Sequence, residues 1–433
     1  MARIDVVIIG GGQAGLAISR CLTDRRVAHV VLERGRVAER WRSERWDSLR
    51  LLTPNWQSRL PGFAYDGPDP DGYMTMPEVT AFLERYAHRS GAPVEADTRV
   101  TSVTRDGHGY QVATTRGTWT ARAVVVATGH CDVPVRPSLS ARLAASVAQL
   151  VPSQYRRPAQ LPPGGVLVVG ASASGLQLAD ELHRAGRDVA IAVGHHTRVP
   201  RTYRGRDILW WLDAMGVLRE TVDQVYDIRV SRAQPSFQLV GRPDRATLDL
   251  LTLRARGVHV VGRLLDIDGA RVRLDDDLVT TTVSADVKLA VLLRRIDRFA
   301  ASSGLAGEVG PPEPFEPHWR AFVEAPDVLD LRARGVSTVL WATGFRRAYP
   351  WLRVPVLDEA GEIRHHGGLT TSPGLFVIGL QFLRRRNSSF IDGVGADARD
   401  LSAAIAHHLD TVVRTDLLAA AAAQAGAVEG RAS

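Results

Sequence analysis

Residues 4–15 read Ile4-Asp5-Val6-Val7-Ile8-Ile9-Gly10-Gly11-Gly12-Gln13-Ala14-Gly15. A run of β-branched residues meets a G-x-G-x-x-G turn, and a helix-like stretch follows over 16–25. A second apolar run, 27–32, ends at Glu33, 23 positions after Gly10. That is near the spacing of about 20 at which a strand–turn–helix–strand unit places an acid on a nucleotide ribose. Glycines let the backbone approach a pyrophosphate, and the helix N-terminus offers free N–H groups and the positive end of its dipole. A plain tight turn would also use glycine, but strand, turn, helix and acid here agree.

The same pattern returns at 166–193. Val166 to Val169 is followed by Gly170-Ala171-Ser172-Ala173-Ser174-Gly175, a helical stretch over 176–185 and a strand over 188–193. Ser172 stands where the middle glycine would be. The position matching Glu33 is Val193, and no acid lies nearby. Arg198 and Arg201 follow instead, and arginine binds a 2′-phosphate that an acid would repel. We therefore expect NADP(H) rather than NAD(H) in the second site. The competing reading is that both arginines are merely solvated.

Two further stretches share an ending. Val124-Val125-Val126-Ala127-Thr128-Gly129 closes a meander expected over 100–122, and 338–344 ends in Ala342-Thr343-Gly344. Two nucleotide-type openings and two such closings give an α/β chain with two Rossmann-like domains, one inserted in the other. We place the outer domain at 1–155 and 336–433, and the inserted one at 156–335. A long helix is expected over 278–301, and another over 397–425.

Composition bounds the alternatives. The 433 residues allow two or three domains, with 45% apolar and 23% charged residues, as in ordinary globular chains. No apolar run reaches the ~20 residues of a membrane span. No signal-peptide pattern opens the chain, so we expect a cytoplasmic protein. Net charge is 54 − 47 = +7, almost all from arginine, with Lys288 the only lysine. The positive residues are dispersed, so a nucleic-acid partner is not expected and an anionic small ligand is. Cys21 and Cys131 form no CxxC pair, and the paired histidines lack metal spacing, so no metal is expected.

Taken together, these motifs resemble the flavin-containing monooxygenase superfamily, in its bacterial and plant YUCCA-like branch. The resemblance rests on 10–15, Glu33, Ala38-Glu39-Arg40-Trp41 through Pro61, Met76-Pro77, the two Ala-Thr-Gly closings, 170–175 and 374–379. It implies FAD at the first turn and NADPH at the second, with O₂ and a small organic substrate; a homodimer is compatible with it. The implied FAD contacts are Gly10, Gly12, Gln13, Ala14, Gly15, Glu33, Arg34, Trp41, Thr53, Ala127, Thr128, Gly129 and Gly379. The expected second-site contacts are Gly170, Ser172, Ser174 and Gly175, with Arg198 and Arg201 from the reading above, and Ala342, Thr343 and Gly344 are further cofactor contacts. Asn55 falls at the catalytic position beside the flavin ring, and the helix after Gly395 points its N-terminus at that ring.

The chain departs from the family at the linker fingerprint FxGxxxHxxx(Y/F/W). Its Phe, Gly and His fall on Ala145, Val147 and Val151, and Tyr155 alone survives. The departure sets a monooxygenase against two rivals: an NADPH oxidase that releases hydrogen peroxide, and a non-catalytic flavin- or NADP-binding accessory protein.

Overall fold

The computed structural model describes residues 2–107 and 109–429. Apolar strands buried on both faces form the centre of each of two separate sheets, as expected where helices cover a parallel sheet. In the first, Ala2–Ile9 lies parallel between His29–Leu32 and Gly117–Val126. Leu375–Val377 adds on the far side of Gly117–Val126, again parallel. The expected meander is present: Val100–Asp106, Gly109–Thr114 and the start of Gly117–Val126 pair antiparallel. Helix Gln13–Asp24 packs on this sheet and on the long helix Val394–Glu429.

The second sheet is parallel throughout. Its order is Ala148–Leu150, Val336–Trp341, Gly165–Val169, Val189–Ala192, His259–Val261. Helix Ala173–Arg184 covers it. Ala148–Leu150 and Val336–Trp341 are members of this sheet, so it draws on residues outside the expected 156–335 span. Ala148–Leu150 forms its edge, and the largely buried Val336–Trp341 lies between that edge and Gly165–Val169. The chain crosses between the sheets at Val133–Pro134 and Phe345–Arg346, which pair antiparallel. Thr343 Oγ1 donates to Val135 O at 2.5 Å, and Val135 N donates to Gly344 O at 2.9 Å. Helix Leu278–Ser302 matches the expected long helix. No described helix is long and apolar enough to cross a membrane.

Candidate functional site

The two glycine turns are built alike. Gly10 has φ +115°, and a Cβ there would stand 2.6 Å from Ala127 O. Gly170 has φ +106°, and a Cβ there would stand 2.5 Å from Ala342 O. A Cβ on Gly15 would lie 1.8 Å from Gly10 O, and one on Gly175 the same distance from Gly170 O. Each turn is thus clamped between its own helix and its own Ala-Thr-Gly closing, and side chains are sterically excluded. At the cradle's mouth the geometry opens: a Cβ on Gly12 would meet nothing within 4 Å. Gly12 and Ser172 cap their helices without any side-chain cap bond, which leaves the helix N–H groups free.

Glu33, 8% exposed, closes the first cradle. Its Oε2 accepts from Gly11 N at 2.6 Å and its Oε1 from Gly35 N at 3.0 Å. Those bonds fix the carboxylate at the strand end with lone pairs to spare. Gly379, at φ +79°, comes so close to the helix start that a Cβ would lie 2.6 Å from Ala14 Cβ. Trp41 Nε1 donates to Gln13 Oε1 at 3.2 Å, and Gln13 Nε2 donates to Ser389 O at 3.3 Å. Trp41, Gln13, Ala14 and Gly379 therefore meet at one end of the first turn. Thr53 is half-buried, and Arg34 is ion-paired with Glu44 at 3.0 Å.

Three expected residues have internal partners. Arg198 is buried, with Nε 2.7 Å from Asp286 Oδ1, a second nitrogen donating to Glu316 O at 2.7 Å and a third against His318 Nε2. Arg201, 1% exposed, pairs with Asp207 and donates to Leu52 O at 2.9 Å. Both guanidiniums are spent on internal partners, so neither offers an open phosphate subsite. Asn55, 4% exposed, accepts from Met74 N at 2.8 Å and donates to Asp69 O at 2.9 Å. It ties down the 69–74 loop with both polar atoms.

Residues not singled out from sequence line the junction between the sheets. His130 directly follows Ala127-Thr128-Gly129, and Arg347 lies just beyond Ala342-Thr343-Gly344. Burial, then Arg347, Arg45 and Arg40, push the His130 imidazole down to about 4 against a backbone hydrogen bond to Gly379. His365 is likewise held at about 4 by burial, Arg232 and Arg347. Burial raises the Cys131 thiol, with the arginines opposing. Among the described residues neither Arg45 nor Arg232 has an ion-pair partner; Arg45 stacks over Trp41 at 5.5 Å, and Arg232 donates to Phe382 O at 3.0 Å. The position of His130 immediately after a strand-end glycine is the signal that sequence carried. The arginines converge from three distant segments, 40–45, 232 and 347, and carried none.

Two clamped glycine turns, each at the end of a parallel strand pair in its own sheet, are joined by a paired crossing. A pyridine nucleotide-disulphide oxidoreductase family model matches residues 7–213. A CzcO-like oxidoreductase of Geobacillus kaustophilus is 32% identical over 408 residues, 94% of this chain and 99% of that protein. A probable indole-3-pyruvate monooxygenase, YUCCA1 of Arabidopsis thaliana, is 31% identical over 46% of this chain and 49% of its own length. A flavin-containing monooxygenase from Stenotrophomonas maltophilia superposes with TM-score 0.62 at 23% identity, over 94% of this chain and 99% of that one. The chain belongs to the family of the CzcO-like oxidoreductases, and it shares the fold of the flavin-containing monooxygenase. FAD and NADPH fit the two glycine turns. A ligand phosphate would occupy the space that a Gly12 side chain would fill, over uncapped helix amides.

Proposed function

We propose that the chain is an NADPH-dependent FAD monooxygenase, with the first sheet carrying FAD and the second NADPH. The observation that supports this most directly is the duplicated clamp, Gly10 against Ala127 and Gly170 against Ala342, on either side of the 133–134/345–346 crossing. FAD, reduced by NADPH and reoxidised by O₂, supplies the oxygenating chemistry when bound. The chain's residues then bind and orient. Free amides after Gly12 and Ser172 receive the two pyrophosphates. Glu33 accepts from ribose hydroxyls while the Gly11 and Gly35 N–H groups keep it in place. Trp41, held by Gln13, and Gly379 against Ala14 bound the space at the end of the first turn. His130, neutral at physiological pH, sits at the junction as a hydrogen-bonding group without charge. A small organic substrate enters there, beside Arg45 and Arg347.

The test is direct. Purified protein is yellow with one FAD per chain, NADPH bleaches it at lower concentration than NADH, and an oxygenated product forms from O₂. Well-folded protein that takes up no flavin when FAD is added overturns the reading. A second reading, an NADPH oxidase releasing peroxide, is favoured by Val151. It stands at the fingerprint His position, is 7% exposed, and packs in an apolar cluster with Leu143 and Val147. It supplies no donor to a bound nucleotide.

A further inference from the structure

With Arg198 and Arg201 buried in other pairings, the second cradle needs another cation if it is to prefer NADPH. In a Rossmann-type unit the adenosine ribose lies at the carboxyl end of the second strand, where an acid selects NAD and an arginine accommodates the 2′-phosphate. Here that strand is Val189–Ala192, ending at the buried Val193 and the half-buried Gly194.

The neighbouring strand, His259–Val261, runs parallel with Ala192 opposite Val261, so both carboxyl ends emerge together. Arg263 follows two residues later, and its side chain crosses Gly194. A Cβ on Gly194 would stand 3.5 Å from Arg263 Nε and 3.9 Å from Arg263 Cγ. The guanidinium stem therefore lies within van der Waals reach of residue 194 at the end of the second strand.

Arg263 is also held in advance. A Cβ on Gly262 would lie 1.9 Å from Asp275 O, and Asp275 N donates to Arg263 O at 2.7 Å, so the backbone is fixed. One guanidinium nitrogen pairs with Asp277 Oδ2 at 2.9 Å. The side chain remains 41% exposed. A guanidinium carries five N–H donors, and the single Asp277 contact leaves donors for an anion. This differs from Arg198, whose nitrogens all face internal partners.

We infer that Arg263, lying over Gly194 at the end of the second strand, reads the adenosine 2′-phosphate and sets the preference for NADPH over NADH. The inference rests on the proposed NADPH role of the second cradle. A preorganised arginine–phosphate contact is charge-assisted and in the range where its loss costs about tenfold or more in affinity.

The test is calorimetric titration of the FAD-loaded protein with adenosine 2′,5′-bisphosphate and with 5′-AMP, which needs no turnover. Wild type binds the bisphosphate more tightly. Arg263→Ala loses about tenfold or more for the bisphosphate and keeps 5′-AMP affinity, while Arg263→Lys falls between. Unchanged melting temperatures of both variants show that the fold is intact. If wild type prefers the bisphosphate and Arg263→Ala keeps that preference, the assignment to Arg263 is overturned while the NADPH reading stands. If wild type shows no preference, the NADPH reading itself falls, and this inference with it.

Discussion

Arg198 Nε stands 2.7 Å from Asp286 Oδ1, with both side chains more than nine-tenths buried. Asp286 also accepts from the His318 and Trp319 backbone N–H groups at 2.8 and 3.2 Å. The pair therefore pins the 316–319 segment onto helix Leu278–Ser302. Removing one partner of a buried pair leaves an uncompensated charge and costs about 3–5 kcal/mol. Arg198→Ala is expected to lower the urea midpoint by an amount in that range. The ratio of NADP⁺ to NAD⁺ affinity stays as in wild type. A selective loss of NADP⁺ binding at unchanged stability would return Arg198 to the phosphate.

Glycines two and five places into the first turn have opposite tolerances. A Cβ on Gly15 lands 1.8 Å from Gly10 O, whereas one on Gly12 lands in open space. Gly12→Val is expected to fold with a wild-type melting curve and lose FAD, because the new side chain fills the phosphate's place. Gly15→Ala forces the helix off the turn. It is expected to destabilise by at least the ~1–3 kcal/mol of an overpacked core. Flavin content by absorbance, alongside thermal melting, separates the two; a yellow Gly12→Val protein would show that the cradle holds no phosphate.

The pH dependence of stability follows from His130 and His365. Both imidazoles are pushed from an ordinary value of 6.5 down to about 4. Between those values the unfolded chain takes up protons that the folded chain refuses, so stability rises with pH there. It is fully present above 6.5, declines as pH falls to about 4, and levels off below for these two groups. Urea midpoints at pH 7.0, 5.5 and 4.5 are expected to fall in that order. His130→Gln, which keeps a neutral hydrogen-bonding side chain, is expected to flatten the decline. An equal slope in the variant would locate the linkage elsewhere.

How much of this could be read from the sequence depended on the range of the interaction. Gly10, Gly15 and Glu33 obey local sterics within one strand–turn–helix–strand unit, and the same rules place Gly170 and Gly175. The fates of Arg198 and Arg201 were set by partners at 286, 316 and 318, and at 52 and 207. In a chain with so many arginines, spacing alone does not say which guanidinium stays open. The partners of Asn55 were hidden for a related reason: its carboxamide answers to backbone at 69 and 74, across a loop with no periodic pattern. Arg263 comes from the adjacent strand, 69 positions beyond the glycine it crosses.

The linker bears on coupling between NADPH oxidation and oxygenation. Val151 and Val147 lie in an apolar cluster with Leu143, Val169 and Trp341. Tyr155, fully buried, donates to Glu181 Oε1 at 2.9 Å, and Ser48 Oγ donates to the same carboxylate. The linker thus holds the two halves of the chain together: Val147, Val151 and Tyr155 face the core, while Ala145 is exposed. Protecting a reactive oxygen species takes both exclusion of water and an oriented donor. The apolar linker contributes to the first and nothing to the second. Without substrate, most of the NADPH oxidised is therefore expected to reappear as hydrogen peroxide, as NADPH + H⁺ + O₂ gives NADP⁺ + H₂O₂. Val151→His buries an unpartnered imidazole in the cluster. It is expected to lower stability by about 1–3 kcal/mol, the cost of an unsatisfied buried polar group, without reducing the peroxide yield. Peroxide trapped with a peroxidase-coupled dye, against NADPH consumed, checks this. Little peroxide from wild type, or a clear fall in Val151→His, would show that the linker does reach the bound nucleotide.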